Sequence, residues 1–298
     1  MSSRPLLVSV GSGKGGTGKT TVATSLALAL SSSLAPDERP LYLDCDVEEP
    51  DSALFLKPEI ATEREVGVLV PIVDEGSCTK CGTCSERCAW NAIAVTGAGV
   101  MVFPELCHGC GSCVTGCPSA AISEELFPLG ILELGTAGGM GYGAGRMNVG
   151  SPMPVPVIRE LKCSMLGSVP GPGRTIAVLD SPPGSACPFV ETVRGSDLLL
   201  LVTEPTPFGL HDLRIAVEVA RDQMGLRTLV VVNRDSPGYE ELDRYCRQQG
   251  LPIALRIPFS REIAECTLSG CPIYNCIPLC RELLDELRDR VLEELCAR

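Results

Sequence analysis

The chain has 298 residues, enough for one large domain or two ordinary ones around a buried core. Lys and Arg number 25 against 37 Asp and Glu, a net charge of -12, and aromatic residues make up 4%, which argues against a polyanion-binding face and against stacking platforms for single strands. Neither nucleic acid nor an anionic membrane is therefore expected as a partner. Cysteines number 17, an odd count in a chain too long for a disulfide-stapled scaffold, and no charged-then-apolar leader pattern opens the sequence. The expectation is a soluble protein of a reducing, cytoplasmic compartment whose thiols hold metal. No apolar run approaches the roughly 20 residues that span a bilayer.

In chain order, an apolar run at 6–10 ends in a Gly-rich turn, and 21–30 reads as an Ala/Leu helix, giving strand, loop and helix. Further apolar runs at 41–43, 175–179, 198–202, 228–232 and 253–257 are separated by helical patterns such as 210–223 and 239–249. Short apolar strands alternating with helices predict an α/β fold, a parallel sheet with helices on both faces. The alternation breaks between about residues 66 and 156, where Cys, Gly and Pro dominate and no helix of ordinary length is predicted. Residues 66–155 are expected to form an inserted domain within a discontinuous α/β domain, 1–65 and 156–298. The Gly-rich end of the insertion, 135–150, is expected to be a hairpin returning the chain to the sheet. Leu283, Leu284, Leu287, Val291, Leu292 and Leu295 fall on one face of an amphipathic C-terminal helix.

Gly13-Lys14-Gly15-Gly16-Thr17-Gly18-Lys19-Thr20 fits the G-x-x-x-x-G-K-[ST] pattern between a predicted strand and a predicted helix. Glycines let the backbone turn its N–H groups inward onto phosphates, and the helix N-terminus adds positive dipole. Lys19 reaches the β and γ oxygens, and Thr20 offers its hydroxyl to Mg²⁺. With Thr21 this loop is the expected nucleotide cradle.

The run GKGGTGKTT resembles the deviant phosphate loop of the MinD/ParA/Mrp family of ATPases, relatives of the nitrogenase iron protein. The resemblance covers nearly all of the chain outside the insertion and implies a Mg²⁺-ATP-dependent homodimer in which Lys14 reaches the nucleotide of the partner subunit. It implies that Asp46, at the end of Leu43-Asp44-Cys45-Asp46, positions the attacking water, and that Asp44 lies near the Mg²⁺ shell with Thr20. Asp180-Ser181-Pro182-Pro183-Gly184 looks like the family's second switch, with Asp180 in the Walker B place and Gly184 beside the nucleotide. Asn233 occupies the place of an adenine-reading Asn, and Ile257-Pro258-Phe259 with residues 261–264 resembles the stretch that closes over the base.

Cys78-x-x-Cys81-x-x-Cys84-x-x-x-Cys88 is followed by Cys107-x-x-Cys110-x-x-Cys113-x-x-x-Cys117-Pro118, one spacing given twice. Three thiolates so spaced wrap one face of a cubane, and the fourth lies too far along to close it, so it ligates the other cluster. Cluster 1 is expected on Cys78, Cys81, Cys84 and Cys117, and cluster 2 on Cys107, Cys110, Cys113 and Cys88. The insertion is thus read as a bacterial ferredoxin-like domain with two 4Fe-4S clusters; zinc knuckles would use paired ligands instead. Ala89 stands where the pattern has Pro, which predicts a looser turn after Cys88. Val47-Glu48-Glu49-Pro50 after Asp46, and Cys187-Pro188 after Gly184, resemble a subgroup of MinD-type proteins with a ferredoxin insertion, associated with metal-cluster and orange-protein complexes.

Cys266, Cys271, Cys276 and Cys280 crowd together near the end of the chain, yet no C-x-x-C pair occurs, and ordinary buried thiols are expected there. Three functions are compatible with the sequence: an ATPase that assembles or inserts a metal cluster in a client metalloprotein, an ATP-gated low-potential electron donor to a redox partner, and a spatial-positioning ATPase of the MinD/ParA sort. The acidic charge and the lack of a basic C-terminal anchor disfavour the third, and the resemblance to Mrp favours the first.

Overall fold

The structure is a computed structural model that describes residues 4–33, 35, 38–167 and 173–297. Its strands are β1 (Leu6–Gly11), β2 (Arg39–Asp44), β3 (Glu59–Val73), β4 (Ile93–Thr96), β5 (Gly99–Val102), β6 (Ile122–Ala137), β7 (Met140–Met147), β8 (Thr175–Asp180), β9 (Leu198–Thr203), β10 (Thr228–Asp235) and β11 (Ile253–Pro258). Nine of them form one sheet in the order β11-β10-β9-β1-β8-β2-β7-β6-β3, while β4 and β5 pair apart from it. From β11 through β7 the neighbours are parallel; β6 and β3 are antiparallel additions at the edge.

The central strands β8 and β9 are buried along their whole length, which is why they read as continuous apolar runs. Alternate residues serve opposite faces. Leu198, Leu200 and Val202 pack with α1 (Lys19–Ser33) and the C-terminal helix, whereas Leu199 and Leu201 pack with Phe189, Leu213 and Val230 on the other side. The remaining helices are α2 (Ser52–Leu56), α3 (Thr83–Arg87), α4 (Ser112–Thr115), α5 (Pro154–Leu166), α6 (Cys187–Val193), α7 (Pro207–Val217), α8 (Glu241–Gln248), α9 (Arg261–Leu268), α10 (Ile273–Cys276) and α11 (Pro278–Cys296). Helix α7 continues through a π-wound segment, Glu218–Gln223, so the predicted helix at 210–223 is present with a changed winding. In α11 the predicted apolar face is buried at Leu284, Leu287, Val291 and Leu295.

Two long strands went unanticipated. β3 and β6 pair from Glu59 opposite Thr136 to Val73 opposite Ile122. The second half of β6 lies against β7, from Gly130 opposite Met147 to Ala137 opposite Met140, and β7 runs beside β2 up to Asp44 opposite Ala144. The predicted hairpin is therefore the β6–β7 turn at Gly138 and Gly139, both with positive φ. The rest of the β3–β6 ribbon continues past the carboxyl ends of the parallel strands. Its outer end carries the cysteine loops, α3, α4 and the β4–β5 hairpin around a small core of Cys84, Ile93 and Ile122. The strands escaped sequence reading for local reasons. Gly67 and Pro71 interrupt β3, Pro128 interrupts β6, and much of Glu59–Glu65 is exposed on the sheet edge, so neither run alternates cleanly.

Candidate nucleotide site and cysteine hollows

The loop between β1 and α1 turns through Gly16 and Gly18 at φ 76° and 90°, a backbone that side chains resist. A Cβ at Gly13 would strike the backbone of Asp212, and one at Gly18 would strike the Asn233 amide, whereas Gly15 and Gly16 face open space. Lys19 is 6% exposed at the first position of α1, and its Nζ lies 3.6 Å from Asp46 Oδ2. Thr17 Oγ1 is buried without a hydrogen-bond partner. A glycine turn with open space at Gly15 and Gly16, a buried cation and an unsatisfied hydroxyl fit a phosphate chain.

Register brings the acids together, since Asp44 sits opposite Asp180 across β2 and β8. Burial and then the Asp180 charge raise the Asp44 carboxyl above its usual range. Both Asp44 oxygens are occupied by backbone, accepting from Asp46 N at 3.2 Å and from Ser52 N at 3.1 Å. Asp180 is raised by burial, while Lys19 and the Thr20 and Tyr42 hydroxyls oppose the rise. Tyr42 Oη donates to Asp180 Oδ2 at 3.1 Å, but Oδ1 completes no hydrogen bond of normal geometry. Asp180 and Thr20 therefore fit Mg²⁺ better than Asp44, which holds the turn leading to Asp46. Burial pushes Asp46 up to about 7, against the pull of Lys19.

Asn233 donates from Nδ2 to Thr17 O at 2.7 Å and lines a cavity of ≈ 290 Å³ with Gly18, Thr21, Pro258, Ile263 and Thr267. Gly184 N donates to Ser12 O at 2.9 Å, tying the segment after Asp180 to the loop. Sequence reasoning missed Glu204, which sits just beyond β9. Glu204 pairs with Lys14 at 3.5 Å and with Arg234 at 2.5 Å, so Lys14 is held by an acid of its own chain. An acid directly after an apolar strand was the available signal.

Beyond the sheet edge, two hollows are each lined by four cysteines. One holds Cys78, Cys81, Cys84 and Cys117, the other Cys107, Cys110, Cys113 and Cys88. These are the two crossed sets that the spacing predicts. The backbone repeats as the sequence does: Lys80 and Gly109, Gly82 and Gly111, Asn91 and Ala120 take positive φ at equivalent places. Ala92 N and Ala121 N donate to the sulfurs of Cys88 and Cys117 at 3.2 and 3.3 Å. The turn after Cys88 closes through Asn91 N to Cys88 O much as the Pro118 turn does through Ala120 N to Cys117 O, so Ala89 does not open it. Hydrogen bonding to Thr83 and Ser112 holds the exposed thiols of Cys81 and Cys110 below their ordinary range, whereas burial raises Cys84, Cys107 and Cys113. Near the C-terminus, and contrary to the expectation of ordinary separate thiols, the sulfurs of Cys266, Cys271 and Cys276 converge within 4.8 Å of one another, Cys266 and Cys276 as a disulfide. No helix of the described residues is long and apolar enough to cross a membrane.

The parallel sheet, the loop at its carboxyl edge and the paired acids define a P-loop nucleotide-binding α/β protein. Residues 8–273 match the CbiA family, the CobQ/CobB/MinD/ParA nucleotide binding domain, and the chain belongs to that family. It is 27% identical over 278 residues to uncharacterized protein MJ0579 of Methanocaldococcus jannaschii, covering 90% of this chain and 91% of the relative. With uncharacterized protein MJ0578 of the same organism it shares 28% over 229 residues, 76% of this chain and 77% of that protein. Among solved structures, the septum site-determining protein MinD of Pyrococcus horikoshii, complexed with Mg-ADP, superposes with TM-score 0.56 at 18% identity, covering 96% of each chain. The cell division ATPase MinD of Pyrococcus furiosus gives 0.55 at 19% identity, covering 97% of this chain and 98% of that one, a likeness of fold.

Proposed function

We propose that this protein is a Mg²⁺-ATP-dependent homodimeric ATPase that carries two 4Fe-4S clusters and couples the nucleotide cycle to assembly or insertion of a metal cluster in a client protein. The observation that carries the reading is the ribbon: the two four-cysteine hollows hang from β3 and β6, whose inner ends lie in the same sheet as the strands ending at Asp44 and Asp180. On this reading residues 66–155 are the functional insertion and 1–65 with 156–298 the ATPase body, joined by continuous strands rather than by a linker.

In the nucleotide site, Lys19 and the loop amides compensate phosphate charge, Thr20 and Asp180 hold Mg²⁺, and Asn233 with Pro258 borders the base. Asp46, near neutrality in its pKa, is suited to hold and orient a water against Lys19. Lys14 must leave Glu204 to reach a nucleotide on the partner subunit, so phosphate competes with a carboxylate for one ammonium. The exchange gives ATP a differential interaction with the open and closed dimer, which is what a switch needs.

The eight cysteines would hold the two clusters, which supply electron storage or a transferable iron-sulfur unit. Cys81 and Cys110 are the exposed ligands, so each hollow opens to a client on that side. Anaerobic incubation of the cluster-loaded protein with an apo-ferredoxin and Mg²⁺-ATP tests the assignment. Iron appearing in the acceptor and lost from the donor supports it. Reduction of an acceptor with full retention of iron turns the assignment to the electron donor, and no iron in the anaerobic protein removes both.

A further inference from the structure

The cysteines near the C-terminus are outside the nucleotide site and outside both ferredoxin-like hollows, and they do not behave as scattered core residues. Helix α9 ends at Leu268; Gly270 then takes φ 69°, and Cys271 N donates back to Cys266 O at 3.2 Å. This tight reversal sets Cys271 beside Cys266, and α10 brings in Cys276 from the far side of Pro272. The reversal calls for glycine at 270, because its φ disfavours a side chain and a Cβ there would press on Leu54 O. Three sulfurs from three successive pieces of backbone thus meet within 4.8 Å. Cys280, in the next helix, is buried in the apolar core and belongs to the packing instead.

We propose that Cys266, Cys271 and Cys276, in their reduced state, form a mononuclear thiolate site for a thiophilic divalent metal, Zn²⁺ by preference. The spacing selects the kind of metal centre. Thiolates about 2.3 Å from one tetrahedral zinc lie under 4 Å apart, which a trio within reach of one another can meet. A cubane instead sends each cysteine to a different iron and needs its sulfurs spread wider. Three protein ligands leave the fourth position for solvent or an added thiolate, the arrangement of an open rather than a closed zinc site.

The site has to be made from the dithiol. A small dithiol reductant gives two electrons and two protons to the Cys266–Cys276 disulfide, yielding two thiols and the oxidised reductant. The metal then displaces one proton from each of three thiols. Bound there, it would staple the end of α9 to α10. Helix α9 also supplies Ile263, Ala264, Thr267 and Leu268 to the wall of the cavity beside Asn233. Metal occupancy and the shape of the base pocket therefore share one helix.

The experiment uses cluster-loaded protein prepared anaerobically, reduced with a dithiol that is then removed, and titrated with Co²⁺ followed by Zn²⁺. The expected result is about one Co²⁺ per chain with intense tetrahedral d–d bands and a sulfur-to-cobalt charge-transfer band, both bleached by Zn²⁺. Cys271→Ser leaves the other two cysteines in place and should weaken binding by at least about 100-fold. Cys280→Ser should leave it unchanged. Cobalt bands of equal strength in Cys271→Ser, or none in the reduced wild type, would overturn the proposal. Iron content, measured on the same samples, keeps this result separate from the cluster assignment: a Cys81→Ser variant that loses iron should still bind the extra cobalt in a Cys271-dependent way.

Discussion

Asp46→Asn should stabilise the folded protein while stopping its turnover. The side chain is 13% exposed, and burial outweighs the Lys19 ammonium in setting its pKa at about 7. An unfolded Asp ionises near 3.8, so keeping Asp46 charged in the folded chain costs up to about 4 kcal/mol, at roughly 1.36 kcal/mol for each pKa unit. Because the folded pKa is raised, the penalty is absent below the unfolded value, grows as pH rises, and is complete above about 7. Asn carries no charge to desolvate. Its advantage over the wild type should therefore widen by about 2–3 kcal/mol between pH 5 and pH 8, or several degrees in Tm. Thermal denaturation of the nucleotide-free proteins at the two pH values measures the first half of the claim. Phosphate release and nucleotide binding measure the second, with binding retained and hydrolysis lost. An equal Tm difference at both pH values would refute the electrostatic reasoning, and hydrolysis at the wild-type rate would refute the placement of the water at Asp46.

The remaining predictions concern the loop, the ribbon and the dimer. Lys19→Ala should lose nucleotide binding in equilibrium dialysis, since it removes the buried cation of the phosphate cradle. Cys81→Ser should lower anaerobic iron from about eight to about four per chain at first, and then further, because Cys88 and Cys117 cross between the two hollows. Leu132→Ala, at a fully buried position where the ribbon enters the sheet, should cost about 2–5 kcal/mol in denaturant unfolding. In the Asp46→Asn background, sedimentation with ATP should show tighter dimers for Glu204→Gln, which frees Lys14, and weaker dimers for Lys14→Ala. Equal dimerisation of all three would remove the contact in trans.

Local chemistry determined much of this protein. The phosphate loop is legible because glycines, a lysine and a hydroxyl must sit at fixed offsets to wrap an anion, and the crossed cysteine sets are legible because one spacing is given twice with its fourth cysteine out of reach of the first three. The central strands are legible because burial on both faces leaves unbroken apolar runs such as 198–202. What lay beyond the sequence depended on distance across the fold. β3 and β6 gain their partners from residues some sixty positions away, and their Gly, Pro and edge charges mask the pairing in either strand alone. Likewise, Glu204 meets Lys14 only because β9 lies beside β1, and the second Asp44 oxygen is taken up only because the chain turns back at Ser52. Cys266, Cys271 and Cys276 have no motif spacing, and a left-handed glycine with a short helix brings their sulfurs together. Spacing along the chain reveals a site whose ligands recur in a chemical pattern, even from separate turns; a site whose ligands follow no pattern emerges only once the backbone has closed.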